Sequence, residues 1–167
     1  MVRKISVSGG AAINIREATT DDLSDILRMG FAFHEASGYA DICEPDTVSM
    51  LETAERLMAD EKGLLLVAES DDQIVGMAGI VAYPIHFNRN YLATQEMFWW
   101  VDKEYRTDGA GRGLLLGIES WAQKMRARSN TMISLNDLDG ERVGKLYKHA
   151  GYRPGEQMHI RRFEYGH

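Results

Sequence analysis

The chain has 167 residues, of which 44% are apolar and 26% charged, proportions that give a globular protein with one substantial core. A formal net charge of −6 argues against a general nucleic-acid binder, which carries a basic stripe, and weakly favours cationic or amine ligands. One cysteine, Cys43, leaves no intrachain disulfide and no cysteine metal cluster.

Residues 1–12 contain Arg3 and Lys4 but no apolar core of a signal peptide, and Ser8-Gly9-Gly10 reads as part of a flexible leader. No run approaches membrane-spanning length, so a cytoplasmic protein without membrane contact is expected. Residues 13–167 read as a single domain. Ile13 to Arg16 alternates apolar and polar, the pattern of a short strand. Thr20 is placed to cap a helix whose first turn holds Asp21 and Asp22, with Leu23, Ile26, Leu27, Gly30, Phe31 and His34 on one face. His34 there reads as a packed, hydrogen-bonded histidine, and Gly38 ends the helix. Pro45-Asp46 opens a second helix carrying Val48, Leu51, Ala54, Leu57 and Met58.

Leu64 to Glu69 is an apolar run of strand length, Ser70-Asp71-Asp72-Gln73 a tight turn, and Ile74 to Ala82 the partner strand of a hairpin. Pro84 to Ala93 shows no period and is expected to be a loop. Thr94 to Val101 is another strand, in which Trp99 and Trp100 point to opposite faces. Leu114 to Arg128 has helical spacing through Leu115, Ile118, Trp121, Ala122 and Met125. Thr131 to Leu135 is expected as a strand, Asp139 to His149 as a short helix stopped at Gly151, and Met158 to Tyr165 as a closing strand.

Tyr105-Arg106-Thr107-Asp108-Gly109-Ala110-Gly111-Arg112-Gly113 thus falls between a strand and a helix. Orphan amides converge at such a helix start and its dipole is positive, which suits a phosphate group. Three glycines let the backbone approach a ligand, and Arg106 and Arg112 flank the turn. A Walker loop is excluded because no Lys-Ser or Lys-Thr follows. A dinucleotide fingerprint is excluded because Leu114 stands where its third glycine belongs. Arg106-x-x-Gly109-x-Gly111 instead resembles the pyrophosphate loop of the GNAT acyl-coenzyme A N-acyltransferases.

Leu146-Tyr147-x-x-x-Gly151-Tyr152 is similar to the second signature of that family and lies about 35 residues past the first. Weaker likenesses are Ile15-Arg16-x-Ala18 with Asp22-Leu23, and Val75-Gly76-x-Ala78. The resemblance covers residues 13–165 and implies an α/β (α+β) fold of the GNAT type: a central mixed, mostly antiparallel sheet of six to seven strands flanked by about four helices. It implies acetyl-CoA as co-substrate without a metal, and direct acyl transfer to a primary amine of a small molecule or protein. The cofactor residues it implies are Trp99, Trp100, Val101, Arg106, Thr107, Asp108, Gly109, Ala110, Gly111 and Arg112.

In the same reading a backbone amide near Trp100-Val101 meets the developing oxyanion, Tyr147 protonates the leaving thiolate, and Glu96 takes the amine proton directly or through water. A bulge in that strand leaves open whether Gln95 or Glu96 faces the cleft. The first helices, with Tyr39, and the Pro84–Ala93 loop are expected around the acceptor, and a homodimer is a further expectation. One departure stands out: many members carry Asn seven residues before the tyrosine, where this chain has Gly140, and Asn136 is too far upstream to substitute. A non-catalytic acyl-CoA-binding sensor or assembly protein is therefore the second reading.

Overall fold

The computed structural model describes residues 12–135 and 138–163. Apart from Ala12, the leader lies outside them, as does Asn136. Five strands form one sheet in the order β1-β2-β3-β4-β5: β1 (Ile13–Glu17), β2 (Gly63–Ser70), β3 (Gln73–Ile85), β4 (Asn88–Val101) and β5 (Ser129–Thr131). The first four are antiparallel neighbours, while β4 and β5 run parallel. Among the described residues four α-helices accompany them: α1 (Leu23–Ala36), α2 (Thr47–Ala59), α3 (Ala110–Lys124) and α4 (Gly140–His149).

Strand periodicity divides the core into two layers. Leu65 and Val67 of β2 face α1 and α2, packing with Ile26, Met29, Ala54, Leu57 and Met77. Leu64, Leu66 and Ala68 face the other way, with Val75, Ile80, Leu114 and Ile118 under α3. That alternation is why β2 reads as an unbroken apolar run: both faces are covered. The β2–β3 turn is tight because Asp71 and Asp72 both adopt positive φ, 47° and 62°, the backbone of a two-residue hairpin turn. Helix α3 approaches the sheet closely, since a Cβ on Gly113 would lie 2.9 Å from Ile15 and one on Gly117 2.8 Å from Leu66.

The entry to α1 differs from the expected Thr20 cap. Thr19 is the cap, a 3-10 turn spans Thr20–Asp22, and Asp22 closes a capping box with Thr19. Asp22 is also held by Arg16 in two bonds of 2.7 and 2.8 Å, which ties the helix start to β1. Asp46 caps α2 by accepting from Ser49 N at 3.1 Å.

Four further expectations are corrected. The sheet has five strands among the described residues rather than six or seven. Pro84 to Ala93 is not a loop: β3 runs to Ile85 and β4 starts at Asn88, so ladder bonds between two polar strands form where no apolar period announces them. The strand after α3 is Ser129–Thr131, and 132–135 leave the sheet. Residues 158–163 form no strand, because Met158, Ile160 and Phe163 find no layer to cover and stay 62–66% exposed; residues 164 and 165 lie outside the described range.

Candidate active site

The β4–β5 pairing is the feature that shapes the site. It lasts for three residue pairs, the last being Gln95 with Thr131. Beyond that pair β4 continues to Val101 paired, among the described residues, with β3 alone, so the β4–β5 ladder opens there. Opposite Gly79 and Ile80 the β3–β4 register shifts: Gly79 pairs with Phe98 and Ile80 with Glu96, leaving Met97 as the extra residue. Such a bulge reverses which residues face which side. Thr94 and Glu96 before it, and Trp99 and Val101 after it, therefore share the α3 side, while Phe98 and Trp100 pack toward α1 and α2.

Glu96 is the first β4 residue past the last β4–β5 pair, and it is 5% exposed. Its Oε2 accepts from Ile133 N at 3.0 Å, across the opening, and from the Tyr147 hydroxyl at 3.4 Å. No partner of Oε1 appears among the described residues. Burial outweighs those bonds and pushes the Glu96 carboxyl up to about 7. Tyr147 is 7% exposed on α4 and donates to Ile133 O at 2.9 Å. Burial, and then the Glu96 charge, raise its hydroxyl well above the ordinary tyrosine value, so it stays protonated at neutral pH. Burial also pushes Tyr152 up to about 12; its ring lies 5.6 Å from that of Tyr147 and its hydroxyl accepts from Asn130. Gln95 takes the other face and accepts from the Tyr83 hydroxyl at 3.2 Å.

A cavity of about 530 Å³ adjoins this centre, lined by Trp99, Trp100, Val101, Arg106, Thr107, Gly109, Gly111 and Arg112 from β4 and the glycine turn. Helix α3 begins at Ala110, four residues earlier than its apolar spacing suggests, so the glycine turn is its first turn. Gly109 caps it at φ 90°, a backbone that side chains disfavour, and no side chain caps the helix. Gly113 is the first amide of the helix to find a carbonyl, that of Gly109 at 2.8 Å, which leaves the amides of Ala110, Gly111 and Arg112 ahead of it. A Cβ on Gly111 would lie 3.3 Å from the Trp99 ring. Asp108 and Ala110 do not line the cavity: Asp108 is exposed and accepts from Thr107, and Ala110 is fully buried.

The far wall was not foreseen. Leu138, Asp139, Arg142, Val143 and Leu146 come from α4 and its approach. Arg142 donates to Arg106 O at 2.8 Å, so a third arginine joins Arg106 and Arg112. Gly140 also acquires a reason: a Cβ there would sit 2.7 Å from Leu135 O, so an asparagine does not fit this turn. Trp100 Nε1 donates to Asp102 at 2.9 Å, whereas Trp99 Nε1 is buried without a partner among the described residues.

A second cavity, of about 520 Å³, lies on the opposite face between α1, α2 and β4, with Met77, Met97 and Phe98 on its sheet side. Tyr39 and His34 line it, and His34 Nε2 bonds Cys43 O at 2.9 Å. Glu96 and Tyr147 line neither cavity, but Glu96 directly precedes Met97 and Phe98 of the second cavity, after which β4 lines the first from Trp99 on.

An open-ended β4–β5 pair thus stands beside an arginine-flanked helix start whose first amides find no carbonyl, an arrangement that suits an anion at a sheet edge. The family model described as "Acetyltransferase (GNAT) domain" matches residues 61–154, more than half of the chain. The chain belongs to the GNAT acetyltransferase family. None of the curated proteins compared with it matches. Among solved structures, a ribosomal-protein-alanine N-acetyltransferase from Brucella melitensis biovar Abortus 2308 is similar over 92% of this chain and 100% of its own, at 19% identity and a TM-score of 0.69. An aminoglycoside 6'-N-acetyltransferase from Acinetobacter baumannii is similar over 92% and 99%, at 18% identity and 0.66. A predicted acetyltransferase from Clostridium acetobutylicum, solved with acetyl-CoA, covers 89% and 96%, at 17% identity and 0.69. At these identities the likeness is one of fold.

Proposed function

We propose that this protein transfers an acetyl group from acetyl-CoA directly to a primary amine. The observation that carries the reading is the end of the β4–β5 ladder, where a buried acid–tyrosine pair, Glu96 and Tyr147, stands beside the cationic cavity through the Trp99 ring, 5.8 Å from that of Tyr147. The residues suit a nucleotide diphosphate thioester. The free first-turn amides of α3 and Arg106, Arg112 and Arg142 match its phosphates, and Gly111 keeps the approach clear. The unpartnered Trp99 N–H is a donor in want of an acceptor such as an amide carbonyl of the thiol-bearing arm.

When bound, the thioester supplies the activated acyl group. Every other task falls to this chain. The β4 amides past the bulge face no fifth strand and are available to the acyl carbonyl oxygen. Glu96, held near neutrality by burial, takes the proton of the acceptor nitrogen through Oε1, directly or by way of water. Tyr147 supplies a proton to the departing sulfur, and Glu96 at 3.4 Å is placed to restore it. The Gly140 departure weakens the case for turnover less than the sequence suggests, because Arg142 enters the same cavity two residues later. Release of free thiol from acetyl-CoA on addition of a primary amine tests the reading: amine-dependent release supports it, and tight cofactor binding without release with any amine favours the sensor instead.

A further inference from the structure

The two cavities flanking β4 are opposite in charge. The one on the α3 side is lined, among the described residues, by Arg106, Arg112 and Arg142 against one carboxylate, Asp139. The one between α1, α2 and β4 is lined by Glu44 and Asp46 and, among the described residues, by no lysine or arginine. An anion is favoured in the first and a cation in the second. The second cavity is also apolar at depth. Ile26, Ala54 and Met77 are buried in its floor, and Met50, Met97 and Phe98 add flexible or flat apolar surface.

Its polar side chains are largely spent on the protein itself. His34 is bonded to Cys43 O at 2.9 Å, Thr53 donates to Ser49 O at 2.8 Å, and Ser49 donates to Asp46. A ligand rich in hydroxyls would leave them unpaired in this cavity, and each buried unpaired hydroxyl costs roughly tenfold or more in binding. Among the described residues, the Glu44 carboxylate and the Tyr39 hydroxyl are left free, both on exposed residues at the rim of an apolar chamber.

Resting on the acyl-transfer reading above, we propose that the acceptor is a small monoamine with an apolar body, an aralkyl or alkyl amine, seated in the cavity between α1, α2 and β4. Glu44 and Asp46 draw the ammonium in from solvent. The apolar body then fills the floor, and the nitrogen turns to the Met97–Phe98 segment of β4, which follows Glu96 in sequence. Aminosugars and polyamines carry more polar groups than the walls can pair.

Calorimetry of 2-phenylethylamine titrated into the enzyme–CoA complex tests the site without turnover. Binding is expected, at least about tenfold weaker in Met97→Lys, which sets a cation in the wall at a position that is 40% exposed and tolerant of change. Glu44→Gln should weaken binding less, with a difference that fades in salt. Thiol release should then rank 2-phenylethylamine above an aminoglycoside by about 100-fold in kcat/KM, two unpaired hydroxyls at the factor above, and above spermidine, whose further ammonium groups meet the apolar floor. Absence of amine binding overturns the proposal, as does equal or greater turnover of the aminoglycoside, the polyamine or an alanine-terminated peptide. Amine binding without thiol release upholds the cavity assignment and contradicts acyl transfer itself.

Discussion

Glu96 is buried, yet its carboxyl stands at the point where β4 loses its neighbour, and two consequences follow. Its proton is held more tightly in the folded chain, near pH 7, than at the ordinary 4.5. Between those values the folded state binds the extra proton, so stability falls as pH rises through the window. Melting curves of Glu96→Gln should lack that fall and cross above wild type at pH 8. In the rate profile, activity should rise through about pH 7 in the wild type and lose that limb in Glu96→Gln. A limb that persists in the variant belongs to the amine. Tyr147→Phe deletes the donor while keeping the ring, and turnover should drop on the order of 100- to 10,000-fold with CoA affinity unchanged. The orphaned Ile133 carbonyl should lower stability by only about 1 kcal/mol, far too little to explain such a loss. The pairing of these two residues was partly legible: the Leu-Tyr-x-x-x-Gly-Tyr signature located Tyr147, but the register of Glu96 hung on a bulge that no residue type marks. Arg142 escaped notice altogether, since a helix-surface arginine carries no local signal of the cavity it enters.

At the level of elements, the glycine turn and α3 are one unit. Apolar spacing marks only the buried face of a helix, so the sequence shows it from Leu114, whereas the backbone coils from Ala110. The four residues between are where the ligand-facing amides lie. Gly111→Val places a branched side chain where even one Cβ already meets the Trp99 ring at 3.3 Å. Calorimetry should show CoA affinity reduced at least about tenfold, ~1.4 kcal/mol, with the melt preserved. Unchanged affinity would remove the turn from the site. The start of α1 carries a different dependence. Arg16 holds the Asp22 carboxyl below its ordinary 3.8, so the pair adds stability above that pH, which is lost as pH falls through the lowered value. Asp22→Asn should cost about 2 kcal/mol at neutral pH in denaturant melts, a gap that closes in acid. The strands were legible wherever a core layer imposes a pattern. The polar ends of β3 and β4, held by backbone bonds alone, were not, and neither was the exposed 158–163 segment, whose apolar residues imitate a strand that has nothing to pack on.

Across the whole molecule, one sheet separates a basic cavity from an acidic one, and the parallel pair at its edge opens between them. On the reading proposed above, an acyl group passes from one ligand to another held on the far face of β4, with no covalent stop on the protein. The two motifs that announced the family both lie on the basic side. The acidic side is built mainly on the consecutive helices α1 and α2 and their connection, whose apolar faces read in sequence as ordinary core, so the proposed acceptor cavity carried no motif to announce it. The most direct measurement uses acetyl-CoA labelled in its acetyl group, mixed with enzyme and a primary amine and analysed by mass spectrometry of both amine and intact protein. The account predicts label in the N-acetylated amine and none on the protein when amine is omitted. Label that stays on coenzyme A with every amine tried, while the cofactor still binds, would contradict it.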